Sequence, residues 1–226
     1  MLARPVQRVH VWAARTAMLV AGIGLALFVS AALLVHGGAP AWDTEAFRAL
    51  NAVSPGLAAW LTPITKLFLP AGIAVAAAIA ALYSFVRTRS LWPIAFSAGA
   101  AAIAWALANL AKHAASRPRP YTVVADAVLR QQPAHGSSFP SSHTTAALAV
   151  TIALVAFLPR WGAVVAIAYA VVLGWSRIYL GVHYPLDVVA GMGIGCAVGG
   201  LTVLLERVVL LRPPSTPVSP HRAAAN

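Results

Sequence analysis

Six long apolar runs, each about as long as a membrane-crossing helix, constrain the fold of this 226-residue chain more than any other feature. A helix needs about 20 apolar residues to cross the hydrocarbon core of a bilayer. No water is present there, so a spanning backbone must form helices or a closed barrel. The runs show no strict alternation of apolar and polar residues, which favours helices. The predicted spans are 16–36, 67–86, 91–111, 142–158, 161–179 and 186–211. The sequence therefore predicts an all-α, integral membrane bundle of six transmembrane helices.

The amino-acid composition supports lipid as the solvent. Hydrophobic residues make up 60% of the chain and charged residues only 9%, whereas a soluble domain has about 25% charged residues. The net charge of +11 could suggest a nucleic-acid partner. The basic residues form no dense run, however, and stand mostly at the ends of apolar segments. We expect membrane lipids as partners and no nucleic acid.

The predicted domain organisation is simple. Residues 1–15 are expected to be a cytoplasmic segment, residues 16–211 the membrane domain, and residues 212–226 a disordered cytoplasmic tail rich in Pro, Ser and Ala. A short helix is predicted between the first two spans, beginning at Ser54 and Pro55 and lying on the membrane surface.

The arginines at the ends of the spans predict the orientation of the bundle. In a six-span topology four segments share one side, and their cations are Arg4, Arg8, Arg15, Arg87, Arg89, Arg160, Arg207, Arg212 and Arg222. Positive residues favour the cytoplasmic side, so both termini are expected there. The compact chain suggests a bacterial inner membrane.

Three polar clusters fall on the opposite, periplasmic side: 112–120, 139–144 and 176–187. Among the residues that they supply are three cations (Lys112, Arg119 and Arg177), two histidines (His143 and His183) and the carboxylate of Asp187. Positive charge placed against the topological bias indicates an anionic ligand. Catalysis of phosphoryl transfer depends mainly on positioning and charge stabilisation, and the guanidinium fork matches two phosphoryl oxygens at once.

The expected helix starts place two of these clusters at helix N-termini. Ser141 is a plausible N-cap, and the free N–H groups of the following turn would form an anion site beside His143. Pro185 fits the first position of the last helix, which puts Asp187 in its first turn. From there the Asp187 side chain can reach back to His183, fix its tautomer and leave its other ring nitrogen free to attack.

These spacings resemble the type 2 phosphatidic acid phosphatase family, whose superfamily also contains vanadium haloperoxidases and glucose-6-phosphatase. The family motifs K-x6-R-P, P-S-G-H and S-R-x5-H-x3-D correspond here to segments 112–120, 140–143 and 176–187. Order and internal spacing match throughout. Ser142 departs from the pattern, because the family has Gly at that position; a Ser keeps the backbone donor but excludes conformations open only to Gly.

The resemblance implies a membrane phosphatase with a phosphohistidine intermediate. His183 would attack phosphorus, Asp187 would orient it, and His143 would protonate the leaving oxygen and then activate water. The residues expected to hold the phosphoryl group are Lys112, Arg119, Arg177, Ser141 and Ser142. The expected substrate is a lipid phosphate or polyprenyl diphosphate, either undecaprenyl diphosphate or a broad range that includes phosphatidic acid. Transfer of the phosphoryl group to another lipid is an alternative.

Other classes of function are less well supported. The five acidic residues are too few for a two-metal site, so we expect no metal and no cofactor. A transporter would need ionisable groups inside its helices, and these helices have almost none. A non-catalytic scaffold is disfavoured because every motif residue with a chemical role is present. The remaining outer-side residues without a motif position are expected to be solvated loop residues, with contact to lipid headgroups as the alternative: His113, Arg117, Arg130 and His135.

Overall fold

The computed structural model describes residues 14–65, 70–155 and 157–210. Most of the predicted N-terminal segment 1–15 and the whole of the predicted tail 212–226 lie outside these residues. The described chain is helical and contains no strand. Its helices are α1 (Ala14–His36), α2 (Ala41–Asn51), α3 (Pro55–Thr65), α4 (Pro70–Thr88), α5 (Trp92–Ala115), α6 (Pro120–Val123), α7 (Ser142–Val155), α8 (Arg160–Tyr179) and α9 (Pro185–Leu210).

Helix limits follow local sequence signals. The predicted start of α3 is confirmed: the Ser54 hydroxyl accepts a hydrogen bond from the Leu57 N–H at 3.3 Å, as an N-cap does. Helix α9 begins at Pro185 as predicted, where the missing N–H costs no helical hydrogen bond. Helix α5 ends at Ala115. The next residue, Ser116, has a left-handed φ of 44° and donates its N–H to the Lys112 carbonyl, so the chain leaves the helix there.

The protein is a multi-pass membrane protein. Four segments are long and apolar enough to cross a bilayer: Ala14–His36, Trp92–Val123, Arg160–Tyr179 and Pro185–Val209. Two shorter apolar helices accompany them, Ala74–Thr88 and Ser142–Val155. Large apolar side chains are exposed on the outer faces of several of these helices, including Leu33, Ile79, Leu110 and Trp161. A soluble monomer rarely exposes so much apolar surface, whereas lipid accommodates it.

Helix α9 is the centre of the bundle and packs against α1, α5, α7 and α8. Its glycines allow this close approach. A Cβ atom on Gly193 would lie 2.6 Å from the backbone nitrogen of Phe28 in α1, and one on Gly191 would lie 2.7 Å from the Ser141 carbonyl oxygen beside α7. Small residues let helix backbones pack in lipid. The same packing brings the start of α9 against the start of α7.

Two helices, rather than the one predicted, lie between α1 and α4. Helix α3 is the expected one. Helix α2 was missed, because its sequence, AWDTEAFRALN, is as polar as a loop. One face of it is nevertheless buried, at Asp43, Phe47 and Asn51.

Candidate functional site

The three polar clusters meet at one end of the bundle, where α5 and α8 end and α7 and α9 begin. A backbone hydrogen bond joins two of them directly: the Ser141 N–H donates to the Asp187 carbonyl at 2.9 Å. The Thr145 N–H donates to the Ser141 carbonyl at 3.0 Å, so Ser141 occupies the predicted N-cap position of α7. The first turns of α7 and α9 therefore form one contiguous site.

Lys112 connects the end of α5 to the segment that leads into α7. Its ammonium donates to the carbonyl oxygens of Pro140 at 2.7 Å, Ser137 at 2.9 Å and Ser138 at 3.4 Å. An ammonium has three donors, and all three have protein partners here. Lys112 thus shapes the loop around the site as well as supplying positive charge.

Arg119 makes a similar set of bonds from the far side of the same loop. Its guanidinium donates to the carbonyl oxygens of Gly136 at 3.1 Å, His135 at 3.1 Å, Ser137 at 3.3 Å and Val182 at 3.0 Å. Val182 immediately precedes His183, so Arg119 ties the loop before α7 to the loop before α9.

Arg177 differs from these two cations. It lies near the end of α8 with only 2% of its surface exposed. Its Nε and Nη1 atoms are buried and have no hydrogen-bond partner among the residues that the structure describes. A buried guanidinium with unused donors is costly unless an anion binds it. Among these three cations, Arg177 is therefore the one with donors left to bind an anion.

His183 and Asp187 lie side by side at the start of α9. The His183 Nδ1 atom is 3.5 Å from Asp187 Oδ2, too far for a strong hydrogen bond but close enough for electrostatic contact. Asp187 Oδ2 also accepts the Tyr184 N–H at 2.8 Å. Burial lowers the pKa of His183 far below its ordinary value of 6.5, although Asp187 opposes this shift. The imidazole is therefore neutral at pH 7, the form in which a ring nitrogen can attack.

His143 lies in the first turn of α7. The charges of Arg177, Lys112 and Arg119 all act on it, which places the second imidazole within the electrostatic reach of the three cations. His143 and Ser142 also line a cavity of about 650 Å³ that runs between α4, α5, α7 and α8. The Ser142 hydroxyl is buried and has no hydrogen-bond partner within the described part of the chain.

Arg117 was predicted to be a solvated loop residue, and that prediction is wrong. Only 8% of its surface is exposed. Its Nη1 atom donates to Asp187 Oδ1 at 2.7 Å, and its Nη2 atom donates to Asp43 Oδ2 at 2.5 Å. The guanidinium also stacks over the Tyr184 ring, 4.0 Å from its centroid. The two buried carboxylates compensate the guanidinium charge, so Arg117 is stable in a site from which water is excluded.

Asp43 is the site residue that sequence reasoning missed. It is fully buried in the first turn of α2, far from the three clusters in sequence. One signal could have indicated it. The chain has only five acidic residues, and in a membrane protein a carboxylate usually pairs with another ionisable group.

The other three outer-side residues differ among themselves. His113 and His135 are exposed, as predicted. Arg130 is half-buried instead, because its guanidinium stacks 4.4 Å from the Tyr179 ring centroid and donates to the Tyr179 carbonyl at 2.7 Å. It therefore anchors the loop after α6 to the end of α8.

Comparison with known proteins identifies relatives of this chain. A family model described as the PAP2 superfamily matches residues 90–208, which include all three clusters. An undecaprenyl-diphosphatase from Sulfolobus acidocaldarius is 33% identical over 104 residues, 46% of this chain and 50% of that protein. Undecaprenyl-diphosphatase BcrC from Bacillus subtilis is 36% identical over 146 residues, 62% of this chain and 71% of that protein. The chain spans half or less of the length of several other curated relatives.

The fold also has a counterpart among solved structures. A transmembrane PAP2-type phosphatidylglycerolphosphate phosphatase from Bacillus subtilis superimposes with a TM-score of 0.67. The match covers 82% of this chain and 96% of that one, at 23% sequence identity. At this level of identity the likeness concerns the fold alone.

Proposed function

The chain belongs to the PAP2 superfamily, and we propose that it is a membrane phosphatase that hydrolyses a lipid phosphate or diphosphate through a phosphohistidine intermediate. In this proposal residues 16–211 form the phosphatase domain. Undecaprenyl diphosphate is the leading candidate substrate, because two relatives of this chain are undecaprenyl-diphosphatases. Phosphatidic acid and other lipid phosphates are the broader alternative.

One observation carries the proposal: the polar site stands at one end of a cavity with largely apolar walls. Ser142 and His143 line that end, and the lining continues along α7 to Leu154 and onto Trp161 at the start of α8. Leu154 lies 12 positions after Ser142, a separation of about 18 Å along the helix. A lipid phosphate could place its phosphate at the polar site and its hydrocarbon chain along the apolar cavity.

The proposed reaction has two steps. A ring nitrogen of neutral His183 attacks phosphorus, the bond from phosphorus to the leaving oxygen breaks, and His143 gives that oxygen a proton. Water then attacks the phosphorylated His183, His143 takes a proton from it, and the phosphorus–nitrogen bond breaks. A diphosphate yields a monophosphate and inorganic phosphate. Lys112, Arg119 and Arg177, with Ser141 and the backbone amides of Ser142 and His143, stabilise the phosphoryl charge.

We place the site on the periplasmic face of a bacterial inner membrane, in a six-span topology with both termini in the cytoplasm. The support is that Arg87, Arg160 and Arg207 stand at the helix ends remote from the site. Single cysteines introduced as Ser90→Cys and Gln132→Cys in a Cys196→Ala background test this placement. Only Gln132→Cys should react with an impermeant maleimide in intact cells. Labelling of Ser90→Cys alone would invert the topology.

The enzymatic proposal is tested by phosphate release from a panel of lipids in detergent. Undecaprenyl diphosphate, phosphatidic acid and phosphatidylglycerol phosphate would be compared, each with and without an acceptor lipid. We expect inorganic phosphate as the product, an alkali-stable phosphoenzyme during turnover, and loss of both in His183→Ala. Unchanged turnover in His183→Ala would defeat the mechanism. Transfer of phosphate to the acceptor lipid in place of its release would favour the phosphotransferase.

A further inference from the structure

Helix α2 contributes one buried face to the site, although it lies outside the region matched by the superfamily and outside the three motif clusters. Asp43, Phe47 and Asn51 are spaced four residues apart, so they lie on the same face of the helix. The Phe47 ring packs 5.5 Å from the Tyr184 ring. The Asn51 amide donates to the Tyr179 carbonyl at 2.9 Å. These two contacts anchor α2 against the segment that leads into α9.

Asp43 makes a different kind of contact. Its Oδ1 atom accepts the Leu186 N–H at 2.9 Å, in the first turn of α9. Its Oδ2 atom accepts from Arg117, whose other terminal nitrogen donates to Asp187. The guanidinium is a rigid planar fork. It therefore fixes the orientation of the Asp187 carboxylate relative to Asp43, and Asp187 in turn faces His183.

The charges in this chain explain why two carboxylates are needed. If Asp187 alone opposed the buried Arg117, the guanidinium would neutralise much of the field that Asp187 exerts on His183. Positive charge develops on the imidazole when its ring nitrogen bonds to phosphorus. A second carboxylate at Asp43 shares the guanidinium charge and leaves Asp187 able to stabilise that imidazole. Asp43, Arg117 and Asp187 do not need to touch the phosphate for this effect.

We propose that Asp43 and Arg117 are positioning residues for phosphoryl transfer, which hold the Asp187 carboxylate in place and keep its charge available to His183. The inference rests on the proposed function, in which His183 is the nucleophile. It predicts that Asp43 and Arg117 affect the rate of phosphohistidine formation and not the binding of phosphate, because Arg177 and the start of α7 are untouched. The partners that orient metal-ligating histidines act in the same indirect way, and their loss typically changes activity by about 10- to 100-fold.

The test compares Asp43→Asn, which keeps the size of the side chain and removes its charge, with Arg48→Gln as the matched control. Arg48 also lies on α2 and forms an ion pair with Asp126 at 3.0 Å, but both residues of this pair are exposed. For Asp43→Asn we expect kcat and the single-turnover rate of phosphoenzyme formation to fall by about 10- to 100-fold. The inhibition constant for inorganic phosphate should stay within about twofold of the wild-type value. Arg48→Gln should match the wild type.

Arg117→Lys and Arg117→Gln provide a second, independent comparison. Lys keeps the positive charge but cannot bridge two carboxylates with a planar fork. The kcat of Arg117→Lys should therefore lie between those of the wild type and Arg117→Gln, again with unchanged inhibition by phosphate. If Asp43→Asn does not fold, this pair decides the matter.

Two results would overturn the inference. One is a kcat for Asp43→Asn or Arg117→Gln within about threefold of the wild type. The other is a fall in kcat matched by an equal weakening of phosphate inhibition, which would indicate a merely structural role for α2. Failure of the proposed function has a different signature: the wild type itself would form no phosphoenzyme, and His183→Ala would remain active.

Discussion

The Nζ atom of Lys112 lies 2.7 Å from the carbonyl oxygen of Pro140, and its other donors bond to carbonyls of the same loop. Arg177, in contrast, has two buried nitrogens without a partner among the described residues. The two cations have the same expected role in the sequence motifs but different surroundings in the fold. Lys112 orders the loop before α7, while Arg177 has donors left for a ligand.

This difference predicts distinct phenotypes for two variants. Lys112→Met should speed amide hydrogen exchange in residues 135–139 and lower kcat, because the loop loses the ammonium that bonds to its carbonyl oxygens. Arg177→Gln should leave exchange in that loop unchanged and weaken inhibition by inorganic phosphate. Loss of one preorganised donor to the transition state costs about 10²–10³-fold in rate. Lys112→Arg is the control for charge. Identical exchange profiles in the Met and Gln variants would contradict this division of roles.

His143→Ala should separate the two chemical steps. The substrate p-nitrophenyl phosphate has a leaving group that needs little protonation, so phosphorylation of His183 should continue. Hydrolysis of the phosphoenzyme should slow by roughly 10²–10⁴-fold, the usual contribution of a general base. Alkaline quenching of labelled enzyme should then show more phosphoenzyme than in the wild type. Rapid, complete turnover in this variant would assign water activation to another group.

The protonation of His183 provides a pH test. Burial lowers the pKa of His183, so the folded protein keeps the imidazole neutral below the ordinary value of 6.5. As the pH falls past 6.5, the unfolded chain binds this proton and the folded chain does not, which lowers the free energy of unfolding. In ¹⁵N NMR of histidine-labelled protein, the resonance absent from His183→Ala should remain that of a neutral ring from pH 7.5 to 5. Titration near 6.5 would refute the assignment.

Chelation should leave activity unchanged. No three His, Cys, Asp or Glu side chains come together in a cluster fit for a metal ion in the described ranges. The proposed chemistry stabilises phosphoryl charge with three cationic side chains in place of an ion. Turnover is to be measured in excess EDTA after dialysis, with a zinc-dependent phosphatase as the positive control. Activity that falls with the chelator and returns with one added metal would reject the metal-free mechanism.

Ser142→Gly tests the position at which this chain departs from the family pattern. The Ser142 hydroxyl has no partner in the described structure, so its removal breaks no bond of the free enzyme. A Gly in the first turn of α7 should cost up to about 1 kcal/mol of helix stability. We expect kcat within about threefold of the wild type and a slightly lower Tm, since the backbone donors remain. A loss of 100-fold would show that the hydroxyl itself binds substrate.

Much of the fold could be predicted because lipid imposes strong local constraints. The run predicted at 161–179 corresponds to Arg160–Tyr179, and the run predicted at 186–211 to Pro185–Leu210. Apolar composition sets the extent of such a helix, and residues such as Pro185 set its start. Helix α2 was not predictable by this means, because it is short and polar and its buried face depends on Asp43.

The sequence by itself determined the helical membrane class and predicted the reactive groups, since apolar run length and motif spacing are local properties of the chain. Only the tertiary structure decided how those groups are supported. Arg117 has the sequence context of a solvated loop residue, but the packing of α2 and α9 encloses it between Asp43 and Asp187. These contacts join residues 70 and 74 positions apart. A buried cation is stable only when its counter-charges surround it, and that condition is met in space rather than along the sequence.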